Sequence, residues 1–234
     1  MTGALGVGTA LGAPLAARLV DRRGTRVLMP LALAHAMALL AIWILGRSEA
    51  PDAVLMVAAL GAGAAFPPSG SVLRSRWHEL VSHPDLVRTA YAFDSVMIEV
   101  SFVAGPLITA VIVALSGPEV ALALSAVLVI LGTALFLARL PDSEGALEGH
   151  GAPRGFLGPL SEPAIRMIAL TTFPVGFCIG TVEVAVPAFS QGEGSTALAG
   201  ILLAVWSGAS GIGGLVFGGS RRCSWARASP AWER

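Results

Sequence analysis

The sequence predicts an all-α fold, a polytopic membrane helix bundle of about seven transmembrane helices. Three observations carry this. The chain is 55% hydrophobic and 13% charged, with mean hydropathy +0.76, against roughly 25% charge in an ordinary soluble domain. Its apolar residues come in blocks of about 17–25, the length a helix needs to cross ~30 Å of hydrocarbon. Those blocks are apolar all round rather than striped, as in lipid or inside a bundle.

Seven spans follow in order, at residues 1–17, 27–46, 53–72, 90–115, 119–138, 164–189 and 197–218. Each is rich in Ala, Leu, Val and Gly. Backbone groups inside lipid must pair within their own segment, so helix is the expected state. A barrel would need strands alternating over ~10 residues, and no such alternation is present. The first block has arginines after it and none before it, the reverse of a secretory signal. Cys178 and Cys223 lie in different segments and make neither a metal pattern nor a disulfide framework. A formal net charge of zero gives no case for nucleic acid as a partner.

All 15 basic residues are Arg. Only Arg47 falls in the loops 47–52, 116–118 and 190–196. The rest follow the first, third, fifth and seventh spans. The positive-inside rule then places the basic side in the cytoplasm, with the N-terminus outside and the C-terminus cytoplasmic. Residues 139–163 are rich in Pro, Gly and charge and read as a cytoplasmic linker. The expected organisation is an N-terminal bundle at 1–138, that linker, two further helices at 164–218 and a non-apolar tail at 219–234.

Between the first two spans lies GAPLAARLVDRRGTRVL, residues 12–28. It resembles the loop between the second and third helices of the major facilitator superfamily, whose pattern is Gly, three residues, Asp, Arg or Lys, any residue, Gly and two basic positions. Asp21, Arg22, Gly24 and Arg26 match. Ala17 stands where the pattern has its first Gly, and Thr25 replaces one basic residue. The resemblance implies a cytoplasmic gate motif of Ala17, Asp21, Arg22, Arg23, Gly24 and Arg26, whose charges help hold one state of an alternating-access cycle. LGAGAAFPP, residues 60–68, resembles the small-residue stretch of the family's fourth helix, with Val57 where the family often has Arg. Gly105-Pro106 in SFVAGPLITA resembles the core of a fifth-helix motif of exporters. Ser101 replaces a Gly there and the later glycines are missing. Alternatively, Gly105 and Pro106 are a helix kink alone.

Residues 206–222 look like a degraded copy of residues 7–23, with Gly12 and Gly211 at the same offset as Arg22-Arg23 and Arg221-Arg222. Two halves of similar design are what the family has. Counted against it, this chain is expected to correspond to helices two to eight of twelve, without the first helix and the last four. The resemblance implies a secondary active transporter of a small solute in the plasma membrane, with protons as a coupling ion, export favoured over uptake, no cofactor and no catalytic chemistry. The alternative expectation is a non-transporting remnant or a partner membrane protein.

Ionisable groups at bilayer depth call for a function by default. Glu99 lies ~15 Å into its span at 1.5 Å per residue. It suits a proton carrier or a cationic-substrate site, and equally a carboxyl hydrogen-bonded to a neighbouring helix. Asp94 sits about 140° round the same helix, nearer the cytoplasm, where a cap or an arginine partner is expected. Glu183 falls ~28 Å along its helix, near the outer surface, as an interfacial residue. His35 is near mid-membrane, where a hydrogen-bonded packing role is expected before a coupling role. HELVSH at 78–83 is not a zinc motif, because His78 and His83 are five residues apart and do not share a helix face. GVGTALG and GASGIGG follow no strand and carry no Lys, so helix packing explains them better than phosphate binding.

Overall fold

Inside hydrocarbon a helix satisfies its own amides, and hydroxyls can do the same by bonding back to the preceding turn. Thr9, Ser95, Ser101, Ser125, Thr171, Thr172, Thr181 and Ser190 each donate to the carbonyl four residues earlier, at 2.8–3.0 Å. The computed structural model describes residues 1–80, 83–140 and 162–221, all helix and connecting turns with no strand among them. The central part of the linker and the tail from 222 lie outside the described residues.

The helices are α1 (Thr2–Arg23), α2 (Leu28–Arg47), α3 (Asp52–Ala64), α4 (Ser69–Ser75), α5 (Trp77–Leu80), α6 (Pro84–Ser116), α7 (Pro118–Arg139), α8 (Pro163–Gly192) and α9 (Thr196–Arg221), with a 3₁₀ turn at Thr25–Val27. Six stretches are long and apolar enough to cross a membrane: Thr2–Arg23, Thr25–Arg47, Asp52–Ser75, Thr89–Ser116, Pro118–Arg139 and Pro163–Gly192. Where the seventh span is expected, the described residues of α9 carry a shorter apolar stretch, Leu198–Gly213.

Two boundaries move. α1 continues through Arg18, Arg22 and Arg23, which sit in its last two turns rather than in a loop. Arg is a good helix former, and its charge near a helix C-terminus is favourable; loss of hydropathy marks the edge of lipid, not the end of the helix. The third span is also not one helix. It stops at Ala64 and resumes at Ser69, because Pro67 and Pro68 cannot continue the ladder.

Contacts divide the chain into two units, residues 1–80 with 116–185 and residues 81–115 with 186–234. In the first unit α1, α2, α3 and α7 pack on small residues. The stripe Gly8, Gly12, Ala16 and Val20 is the buried face of α1. Glycine makes the closest approaches. A Cβ on Gly8 would strike the Leu60 carbonyl, one on Gly12 the Ala64 carbonyl and one on Gly63 the Leu5 carbonyl. Backbones this close exchange Cα–H···O contacts, the usual glue of membrane helices that have no hydrophobic drive toward each other.

Ala36, Leu39, Ala62 and Ala126 form the buried centre of this unit, with Leu5, Ile42, Leu122 and Val129 against it. A second cluster of Val20, Leu28 and Val72, with Phe136 and Leu137 packed on it, joins the end of α1, the start of α2, α4 and the end of α7. The ends carrying Arg18, Arg22, Arg23, Arg26, Arg74, Arg76 and Arg139 therefore meet. Outward positions stay apolar, among them Met37 and Val57, each 70% exposed. Apolar exposure on this scale is suited to lipid and not to water.

In the second unit α6 lies against α9. A Cβ on Gly200 would meet the Ala110 side chain and stand 2.9 Å from the Pro106 carbonyl. Gly117, at φ 89°, makes the single-residue link from α6 to α7, with Pro118 starting the new helix; only glycine takes that backbone conformation freely.

Candidate functional site

The charged loop is a pinned turn. α1 ends at Gly24, whose φ of 76° and ψ of −178° fall in a region essentially reserved for glycine. Its N–H closes on the Val20 carbonyl at 2.7 Å, and the 3₁₀ turn then leads into α2. Val20, Val27 and Leu28 are buried on either side. Apolar anchors hold the turn, while Asp21, Arg22, Arg23 and Arg26 are exposed around it. The Gly of the motif thus has a backbone reason. Ala17, at the motif's first small position, is exposed, and the close approach of α1 runs through Gly8, Gly12 and Ala16 instead.

Near the same end, sequence reasoning missed Arg76. It is 8% exposed, and it, Arg74 and the half-buried Arg18 are each engaged in an interaction. A buried guanidinium is expensive unless partnered, so Arg76 is a fixed part of this end and not a solvated loop charge. Only its type was readable beforehand, since burial depends on how α4 turns after the break. The side chain of His78, in the rejected zinc pattern, is outside the described residues.

Of the four coupling candidates, Glu99 and Asp94 lie in the second unit and His35 and Glu183 in the first. Glu99 is exposed in the middle of α6 and faces α9: a Cβ on Gly211 would stand 3.6 Å from its Oε2. Among the described residues Glu99 has no ion-pair or hydrogen-bond partner. Asp94, on the same helix, is half-buried and engaged in an interaction. Glu183 is half-buried on α8, in the segment that belongs to the first unit. His35 is buried, 8% exposed, and its Nδ1 bonds the Ala62 carbonyl at 2.7 Å. That bond is the packing role expected of a lone histidine in an apolar span. α6 runs unbroken through Gly105 and Pro106. Among the described residues no three His, Cys, Asp or Glu side chains gather as a metal site would need.

Gly211 is the second residue that sequence reasoning did not place in the site. Its offset from Gly12 was legible, and both turn out to lie at helix contacts, Gly12 on α3 and Gly211 on α6. Which face of α9 turns toward Glu99 is set by packing and has no periodic signal in a helix apolar all round.

The first unit offers a charge-ringed, glycine-closed turn, and the second a carboxylate beside a glycine on a membrane-length helix. No curated protein and no solved structure matches the chain. The family described as Major Facilitator Superfamily does match, over residues 1–228, and covers both of these features and every described helix. The chain therefore belongs to the major facilitator superfamily, a family of multi-pass membrane transporters.

Proposed function

We propose that the protein is a secondary active transporter that moves a small solute by alternating access, with Glu99 as its coupling carboxylate and protons as the coupling ion. The observation that carries this is Glu99 itself. It is an exposed acid in the middle of a 33-residue helix, with a glycine and not a bulky residue across from it. A carboxylate kept at that depth is costly, and proton or substrate traffic is the ordinary reason to keep one. Solute binding in such proteins occurs near the midplane, and the helical bundles rock about it.

The turn at Asp21–Arg26 is the gate on the cytoplasmic side, in the plasma membrane, with the arginine-bearing ends inside as the charge bias requires. Its charges are presented on a rigid backbone, so they can make and break pairs as the bundles rock. Gly105 and Pro106 favour export.

The test is accumulation. Proteoliposomes of the full chain, given an imposed pH gradient, are screened against a panel of labelled amines, sugars, carboxylates and amphiphilic drugs. At least one solute accumulates, and a protonophore abolishes the accumulation. Equal movement with and without the gradient would remove proton coupling, and no movement of any class would remove the transport reading.

A further inference from the structure

A helix carbonyl at position i takes the N–H at i+4, and Pro67 and Pro68 have none to give. The carbonyls of Gly63 and Ala64 lose their partners as a result. Phe66 turns its N–H onto the Gly63 carbonyl at 3.1 Å, a tighter 3₁₀-type bond. That leaves the Ala62 carbonyl without its own ordinary donor. Within α3 two stranded carbonyls remain, Ala62 and Ala64, inside a membrane span where an unpaired group is strongly disfavoured.

Each meets a neighbouring helix. His35 of α2 donates from Nδ1 to the Ala62 oxygen at 2.7 Å. A carbonyl only accepts, so Nδ1 carries the proton. The His35 ring is held edge-on by Phe66, with centroids 5.3 Å apart and planes at 80°. The Ala64 oxygen lies against Gly12 of α1, so closely that a Cβ there would collide with it, and a Cα–H···O contact takes the place of the lost amide. Both contacts sit within one packed unit.

We propose that His35 is a positioning residue. With Gly12 it caps the break at Ala65–Pro68 and makes the third span two segments that bend against each other. The bend lets α4, with Arg74 and the buried Arg76, shift relative to α3 while no carbonyl of α3 is left unpaired. That movement rests on the transport function proposed above. The cap does not.

Amide hydrogen exchange on the full chain in lipid nanodiscs tests the cap. His35→Phe keeps an aromatic ring and removes the donor. Peptides covering residues 61–76 exchange about tenfold faster or more, the ratio expected when a buried carbonyl loses its partner, while peptides of α7 are unchanged. His35→Gln, which keeps an N–H, stays near wild type. In Pro67→Ala/Pro68→Ala the span regains its amides, Phe66 returns to the Ala62 carbonyl, and adding His35→Phe has no further effect. The proposal is overturned if His35→Phe leaves 61–76 unchanged, if it loosens every helix equally, or if its effect is the same size with and without the prolines. In proteoliposomes His35→Phe lowers the maximal rate and leaves the half-saturating concentration unchanged; an unaltered rate would overturn the bending role. Wild-type chain that moves no solute would sink the transport reading and leave the cap to be judged by exchange alone.

Discussion

Glu99 and Gly211 face each other across α6 and α9, with the carboxylate Oε2 3.6 Å from where a Gly211 Cβ would stand. That spacing is ordinary van der Waals contact, while eleven residues away a Cβ at Gly200 would run into the Ala110 side chain. The two helices are therefore tight at Gly200 and have room at Gly211. Gly211→Ala should be accepted with little loss. Gly211→Leu should push the Glu99 carboxylate aside and lower the transport rate about tenfold or more, the scale on which a misplaced coupling group acts, with thermal stability almost unchanged. Flux and melting temperature on the same preparations check this, and a loss of stability parallel to the loss of flux would show a packing role only.

Gly24 makes a sharper backbone prediction. At φ 76° and ψ −178°, a side chain is strained by about 1–3 kcal/mol. Gly24→Ala should lower the melting temperature by roughly 2–12 °C, given ~2–4 °C per kcal/mol at this chain length. A thiol-reactive or intrinsic-fluorescence melt in detergent measures it. An unchanged melting temperature would mean that the turn relaxes and that the glycine is there for another reason.

Two glycines of α3 separate close packing from mere smallness. A Cβ at Gly63 would collide with the Leu5 backbone, whereas nothing lies within 4 Å of one at Gly61. Gly63→Ala should destabilise by about 1–3 kcal/mol, the scale of overpacking, and Gly61→Ala should be neutral or stabilising by up to ~1 kcal/mol. Denaturant titration in mixed micelles gives both values. Equal effects at the two positions would contradict the α1–α3 contact described here.

Much of the fold was legible because lipid imposes one dominant requirement, about twenty apolar residues per crossing. The seven spans and the all-α class follow from it. The family resemblance rested on Asp21, Arg22, Gly24 and Arg26, and the match over residues 1–228 bears it out. The break in the third span was written as Pro67-Pro68 but read as one continuous span, since hydropathy does not register a missing amide. That His35 is hydrogen-bonded in its span was legible, and its partner was not. Its acceptor exists only because two prolines between α3 and α4 disturb the ladder. Arg76 and Gly211 were not legible as site residues at all. One needs the turn of α4 and the other the face of α9, and neither leaves a pattern in residue types.

Proton coupling rests on Glu99, and the most direct measurement is solute-driven proton movement in proteoliposomes loaded with a pH-sensitive dye, at equal incorporation of wild type, Glu99→Gln and Glu99→Asp. A coupling carboxylate gives a pH change with wild type, its loss in Glu99→Gln and partial recovery in Glu99→Asp. A full wild-type response from Glu99→Gln would contradict that role.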